Sequence, residues 1–460
     1  MIMKTSNSLK LSQIITHDRE IQNLIADIQH TIQTQPISDL VDDQGHQYVD
    51  LVLEGGGVLG IALAGYTYAL EQAGIRFLNI AGTSAGAINA VFLATLAKPN
   101  EIRSIKLIEV LDNMPMEKFI DGGKAAKAFV KAMQEKPDGF VDKIPELLIL
   151  AYDKIFKQKK WGINPAHEFE KWLNQNLHVQ HPDELKSILQ LAPNVLKIRS
   201  GRATYQAREN VEDKKTEAQR LENIHNNIKL SIVTADVTTQ SKIIFPEMAE
   251  LFEFEDHNQL TQFIRASMAI PLFFEPVILT AHPNQKIWNK YVSYQGSIPT
   301  GQKCYLVDGG IMSNFPIDIF HQRKYVPLCP TFGVKLDTDR TQPNETAKIT
   351  KFLGALFDTA RHTSDFNFLH KNDDYTQLIT YIDIASHKIP KKIKTGLFNL
   401  KTKTEDVSKF HWLDFNMPTD KKVELFTIGV KAAHDFITAN NGMPFNWDHY
   451  KTTRQNLIDT

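Results

Sequence analysis

The chain has 460 residues, long enough for one large domain with additions or for two to three smaller ones. A formal net charge of -1 excludes the global basic field of a nucleic-acid binder, and a hydrophobic share of 42% excludes a disordered or fibrous chain. The two cysteines, Cys304 and Cys329, belong to no Cys-x-x-Cys or Cys/His cluster, so neither a disulfide framework nor a metal site is expected.

Met1 to Lys10 lacks the apolar run of a secretory signal, so a cytoplasmic or membrane-peripheral protein is expected, with signal-less secretion left open. His17 to Gln33 carries Ile21, Leu24, Ile25, Ile28 and Ile32 at helical spacing, and a polar linker follows. Tyr48 to Leu53 reads as a strand, Glu54 to Gly57 as a glycine-rich turn, and Leu59 to Gln72 as a helix closed by Gly74. Ile75 to Ala81 is a second strand, leading through Gly82-Thr83-Ser84-Ala85-Gly86 into a helix that runs to Leu96. Phe77 to Ala97 is uncharged and long enough to span a bilayer, yet its Asn79, Ser84, Asn89 and Thr95 favour a buried strand, turn and helix.

Residues 99–226 are rich in Lys and Glu, show helical patterns without convincing strands, and are expected to form a mainly helical insertion. Strand signals return at Leu230 to Thr234, Lys242 to Phe245, Val277 to Leu279, Cys304 to Val307 and Phe332 to Leu336, with a helix through His257 to Met268. Ala347 to Ala360 and Glu424 to Ile437 read as helices on either side of a strand at Gln377 to Ile384. Lys388 to Lys403 holds six lysines and no acid, and reads as a solvated surface loop or a membrane-contacting one.

Three motifs carry chemistry. Gly82-x-Ser84-x-Gly86 lies between a strand and a helix, where a sharp turn lifts a serine hydroxyl to the positive end of the helix dipole. Gly55, Gly56, Gly57 and Gly60 open the preceding helix, where bare backbone amides can stabilise an oxyanion. The same residues match the dinucleotide fingerprint G-x-G-x-x-G, but that unit needs an acid roughly 20 residues on for the ribose. No acid lies between Glu71 and Glu101, so the nucleotide reading loses its main support. Asp308-Gly309-Gly310 leaves a strand where active-site groups gather.

In this order the three motifs resemble the patatin-like phospholipase family, as do Ala235 to Thr239 and Arg265 to Pro271 with Phe274 to Val277. The resemblance implies an α/β fold, a three-layer α/β/α sandwich with a mainly parallel central sheet and a nucleophile elbow. It implies Ser84 as nucleophile, Asp308 as base and the amides of Gly55, Gly56 and Gly57 as oxyanion hole, with Gly60, Gly82, Gly86, Gly309 and Gly310 shaping the loops. It further implies a phospholipase A type lipid acyl hydrolase without cofactor, acting on phospholipid in transient contact with a membrane. The expected organisation is a helical extension and linker at 1–46, a catalytic domain at 47–320 carrying the insertion, and an α/β region packed on it at 321–460. Family members often carry Lys or Arg where this chain has Leu59, so any help from that charge is missing. An aspartate base with an unperturbed pKa of about 3.9 would keep such a site working below pH 6. A Ser-His-acid triad using His321 or His362 fits the chain order, but the adjacent glycine loop and serine at the start of the sheet argue against it.

Overall fold

The computed structural model describes residues 10–124, 126–128, 130, 161–201, 215–254, 258–322, 324–337, 343, 346, 349–395, 401–438 and 444–459. The N-terminal part comprises α1 (Leu11–His17), α2 (Arg19–Thr34), β1 (Leu40–Val41), β2 (Gln47–Leu53), α3 (Gly60–Gln72), β3 (Ile75–Thr83) and α4 (Ala85–Thr95). After them come α5 (Ser104–Asp112), β4 (Gly162–Asn164), α6 (His167–Asn176), α7 (Pro182–Leu189), β5 (Lys197–Ile198) and α8 (Glu217–Asn226). The middle of the chain forms β6 (Leu230–Asp236), β7 (Ser241–Phe245), β8 (Phe252–Glu253), α9 (Gln259–Ser267), β9 (Leu272–Phe274), β10 (Val277–Ala281), α10 (Gln285–Tyr291) and β11 (Lys303–Asp308). The C-terminal part adds β12 (Thr331–Leu336), α11 (Ile349–Lys371), β13 (Ile379–Ile382), β14 (Lys388–Thr395), β15 (Lys401–Ser408), α12 (Thr419–Thr438) and α13 (Trp447–Asp459).

The central sheet runs β13-β12-β2-β3-β6-β11-β10-β8. Its first five strands are parallel, and β11, β10 and β8 continue it antiparallel. The steps β2-α3-β3 and β3-α4-β6 move one way along the sheet, whereas β12-α11-β13 moves the other way. With right-handed connections, α3 and α4 therefore cover one face and α11 the opposite one. This is the three-layer α/β/α arrangement expected. β2 is buried along its whole length, and so is β3 but for Asn79, as sandwiched strands must be. α3 and α4 are buried almost all round. α2 is amphipathic: Ile21, Ile25, Ile28 and Ile32 face the core, and Asp18 caps its start by accepting from the Ile21 amide.

The flanking regions are built into this sheet. β12 and β13 belong to it, and β1 pairs with β2 and with β5. The region expected to be helical holds α5 to α8 and also two short strands, because β4 pairs with β9 and β5 with β1. Within the run Lys388 to Lys403, expected to be a loop, the described residues form strands: β14 and β15 pair antiparallel, and residues 396–400 lie outside the described residues. Its alternation of Lys with Ile389 and Ile393 is a strand pattern that Pro390 and the charge density conceal. Among the described residues, no helix is long and apolar enough to cross a membrane.

Candidate active site

Sheet register brings the three motifs to one level. Leu53 pairs with Gly82, Thr83 with Val233, and Thr234 with Asp308. The residues that leave β2, β3 and β11 thus emerge side by side at the carboxyl ends of the parallel strands, where open α/β sheets gather ligands.

Ser84 sits at φ 54° and ψ -120°, a conformation that costs an L-residue roughly 1–3 kcal/mol and persists only where its surroundings hold it. They do so here. The Ser84 amide donates to Ser267 Oγ at 2.9 Å, and Ser267 Oγ donates to the Val233 carbonyl at 2.6 Å. The Thr83 hydroxyl donates to the Ser313 carbonyl at 3.0 Å. Gly86 allows the turn, since a Cβ there would lie 2.2 Å from the Leu53 carbonyl oxygen. Gly309 likewise lies against the Val233 carbonyl, Gly82 against the Gly86 backbone of the same elbow, and Gly60 against the side chains of Ala85 and Asn89.

Asp308 is 7% exposed, and its amide donates to the Ala269 carbonyl at 2.9 Å. Its carboxylate accepts from the Gly310 amide at 2.8 Å. Burial lifts this carboxyl to about 6, and the Gly310 amide, the nearby Ser84 hydroxyl and the Arg361 charge each pull it back down. The Ser84 hydroxyl also points toward Met268 Sδ at 3.4 Å. Among the described residues, the groups that bond to Ser84 or act on Asp308 include no histidine. The His321 ring packs on Phe368 and Tyr375, and the His362 ring faces Phe366.

The glycine loop divides by role. The Gly55 amide donates to the Asn314 carbonyl at 3.1 Å, while the amides of Gly56 and Gly57 meet no acceptor among the described residues. Asn314 Nδ2 reaches Glu54 at 3.0 Å and the Gly55 carbonyl at 3.3 Å. Glu54 accepts from Lys335 Nζ at 2.8 Å and from the Leu336 amide at 2.7 Å, a buried pair that ties the end of β2 to β12. Asp365 on α11 accepts from the Ser313 hydroxyl at 2.7 Å and the Phe315 amide at 2.9 Å, fixing the segment that carries Asn314. Burial raises the Asp365 carboxyl to about 7. Arg361, one turn earlier on α11, reaches the Gly55 carbonyl at 3.5 Å. The loop that lacks a basic residue at Leu59 therefore has a guanidinium beside it from another element.

Sequence reading missed Asn314, Asp365, Arg361 and the bridging role of Ser267. Arg361 and Asp365, four apart on a helix, have the spacing of an ordinary surface ion pair. A pocket beside Ser84 is walled by Gly57, Ile61, Ala85, Met268, Phe274 and Trp412 among others, almost all of them apolar.

A family model for patatin-like phospholipases matches residues 51–321, more than half of the chain. The uncharacterized protein YqhO of Bacillus subtilis (strain 168) is 26% identical over 393 residues, covering 85% of this chain and 98% of its own. The solved structure of VipD from Legionella pneumophila overlaps 80% of this chain and 61% of its own at 16% identity, with a TM-score of 0.28. This chain thus spans less than two thirds of VipD, and the overlap is too loose to bear on the site. With the glycine loop, the serine elbow and the aspartate strand all inside the matched region, the chain belongs to the patatin-like phospholipase family.

Proposed function

We propose that the protein is a phospholipase A type acyl hydrolase working through a Ser84-Asp308 dyad. The family is one of lipid acyl hydrolases. The observation that carries the finer reading is a strained serine on an elbow, level in the sheet with a buried aspartate whose carboxyl it influences. Both stand beside an apolar pocket. Ser84 Oγ attacks the ester carbonyl and its proton passes to Asp308. The amides of Gly56 and Gly57 take the oxyanion, while Gly55 holds the loop through Asn314. Collapse of the tetrahedral adduct expels the alcohol, which leaves with the proton from Asp308. Water, deprotonated by Asp308, then attacks the acyl-enzyme and frees the fatty acid. Asp308 carries every proton of the cycle, so the scheme calls for no cofactor.

The buried charge-free pocket suits an acyl chain, and phospholipid is the substrate that the family favours. In this reading residues 47–320 form the catalytic domain, 99–226 its insertion, and 1–46 and 321–460 its supports. The hairpin at 388–403 touches anionic membrane transiently. A fluorophosphonate probe should label wild-type protein and spare Ser84→Ala, and a mixed lipid extract should lose acyl esters only with the former. Labelling that survives Ser84→Ala, or an untouched lipid profile, would sink the proposal.

A further inference from the structure

From the strap between β15 and α12, outside the matched region, we infer that Trp412 and Phe415 set the acyl-chain length the pocket accepts. This rests on the reading of Ser84 as an ester hydrolase. The strap lies directly on the glycine loop: the Trp412 carbonyl accepts from the Val58 amide at 3.0 Å. Gly57 is at φ 59°, and a Cβ on it would come within 2.3 Å of that carbonyl oxygen and 3.1 Å of the indole ring. No bulkier residue could stand beneath the strap.

Trp412, Leu413 and Phe415 line the same apolar pocket as Gly57, Ala85 and Met268. The Phe415 ring lies parallel to Phe273, 6.3 Å between centroids and 9° between planes. The strap is held at both ends. Before it, the Lys409 amide donates to the His387 carbonyl at 2.8 Å and Lys409 pairs with Glu424. After it, α12 packs against α3, with the Gly429 backbone against the Ala62 carbonyl.

The pocket has a cavity volume of about 50 Å³. Its other walls near Ser84 are parts of the catalytic loops, which cannot change without disturbing the chemistry. Met114, Met116, Phe119 and Phe169 line it from the insertion, whereas Trp412 and Phe415 reach it from an added segment that also touches the glycine loop. Truncating either ring should therefore lengthen the chain accepted, each additional buried methylene favouring binding severalfold.

The test uses full-length protein with Trp412→Ala and, separately, Phe415→Ala, the second of which leaves the contacts between the strap and Gly57 intact. Turnover of soluble esters from butanoyl to hexadecanoyl gives kcat/KM against chain length. Titration of fatty acids of the same lengths into Ser84→Ala protein, with and without the strap changes, reads the pocket without turnover. The expected result is a long-to-short ratio raised by about tenfold in both assays. An unchanged ratio in both folded variants would overturn the inference. Uniform loss at every length would also overturn it, leaving Trp412 only as a clamp on the loop. Absence of turnover in the wild type with a shifted fatty-acid profile would defeat the hydrolase reading and support the chain-length role.

Discussion

Replacing Asp308 by asparagine should abolish turnover and yet stabilise the folded protein, by an amount that depends on pH. Burial moves the carboxyl from its ordinary 3.8 to about 6, roughly two units, worth up to about 3 kcal/mol at about 1.4 kcal/mol per unit. Because the folded-state value is the higher one, the folded protein binds this proton more tightly than the unfolded chain. Stability is full below about 3.8 and is lost as pH rises to about 6, above which the charged form is buried at full cost. The asparagine side chain would keep an oxygen for the Gly310 amide, now bonded to Asp308 at 2.8 Å, without the charge. Urea unfolding of wild type and variant should therefore diverge at pH 8, with the variant more stable, and converge at pH 4. The same pKa sets the acid limb of kcat/KM in the wild type: at pH 5 about a tenth of the enzyme would hold the carboxylate. An acid limb near 6 lies close to that of a histidine base. Single replacement of His321, His362 and each later histidine, each leaving most activity, then separates dyad from triad. A stability difference independent of pH, or an acid limb near 4, would refute the reasoning.

Four further outcomes follow from single contacts. Arg361→Leu removes a charge that lowers the Asp308 pKa, so the acid limb of kcat/KM should move up by a few tenths to one unit, read from a pH-rate profile. Gly86→Ala should reduce turnover by about a hundredfold or more, because its Cβ would push the elbow off the end of β2; a stopped assay on a soluble ester checks this. Glu71→Ala should cost about 3–5 kcal/mol in urea unfolding, since it leaves Arg103 buried and uncompensated and orphans the Arg103 and Ser104 amides at 2.8 and 2.7 Å. Changing Lys391, Lys392 and Lys394 to Glu should weaken binding to anionic vesicles by about 1 kcal/mol per charge at low salt while sparing hydrolysis of a soluble ester.

The sequence by itself determined what short-range signals encode. β2, the glycine turn and α3, and then β3, the elbow and α4, were legible to within one or two residues, because apolar runs broken by glycines report strands, turns and helices locally. Asp308 was legible as a strand-end acid for the same reason. Pairing and burial were not legible. Which loop amides keep no acceptor depends on Asn314, some 260 positions from Gly55, and on the register that puts Lys335 beside Glu54. The Arg361 charge beside the loop and the Trp412 strap on Gly57 come from elements that cross the site only after the chain has wound through the sheet. The β14/β15 hairpin escaped notice because a lysine-rich strand with a proline looks like a loop until a partner pairs with it. The raised pKa of Asp308 is likewise a property of the desolvated site, since a carboxyl feels its surroundings through space and not along the chain.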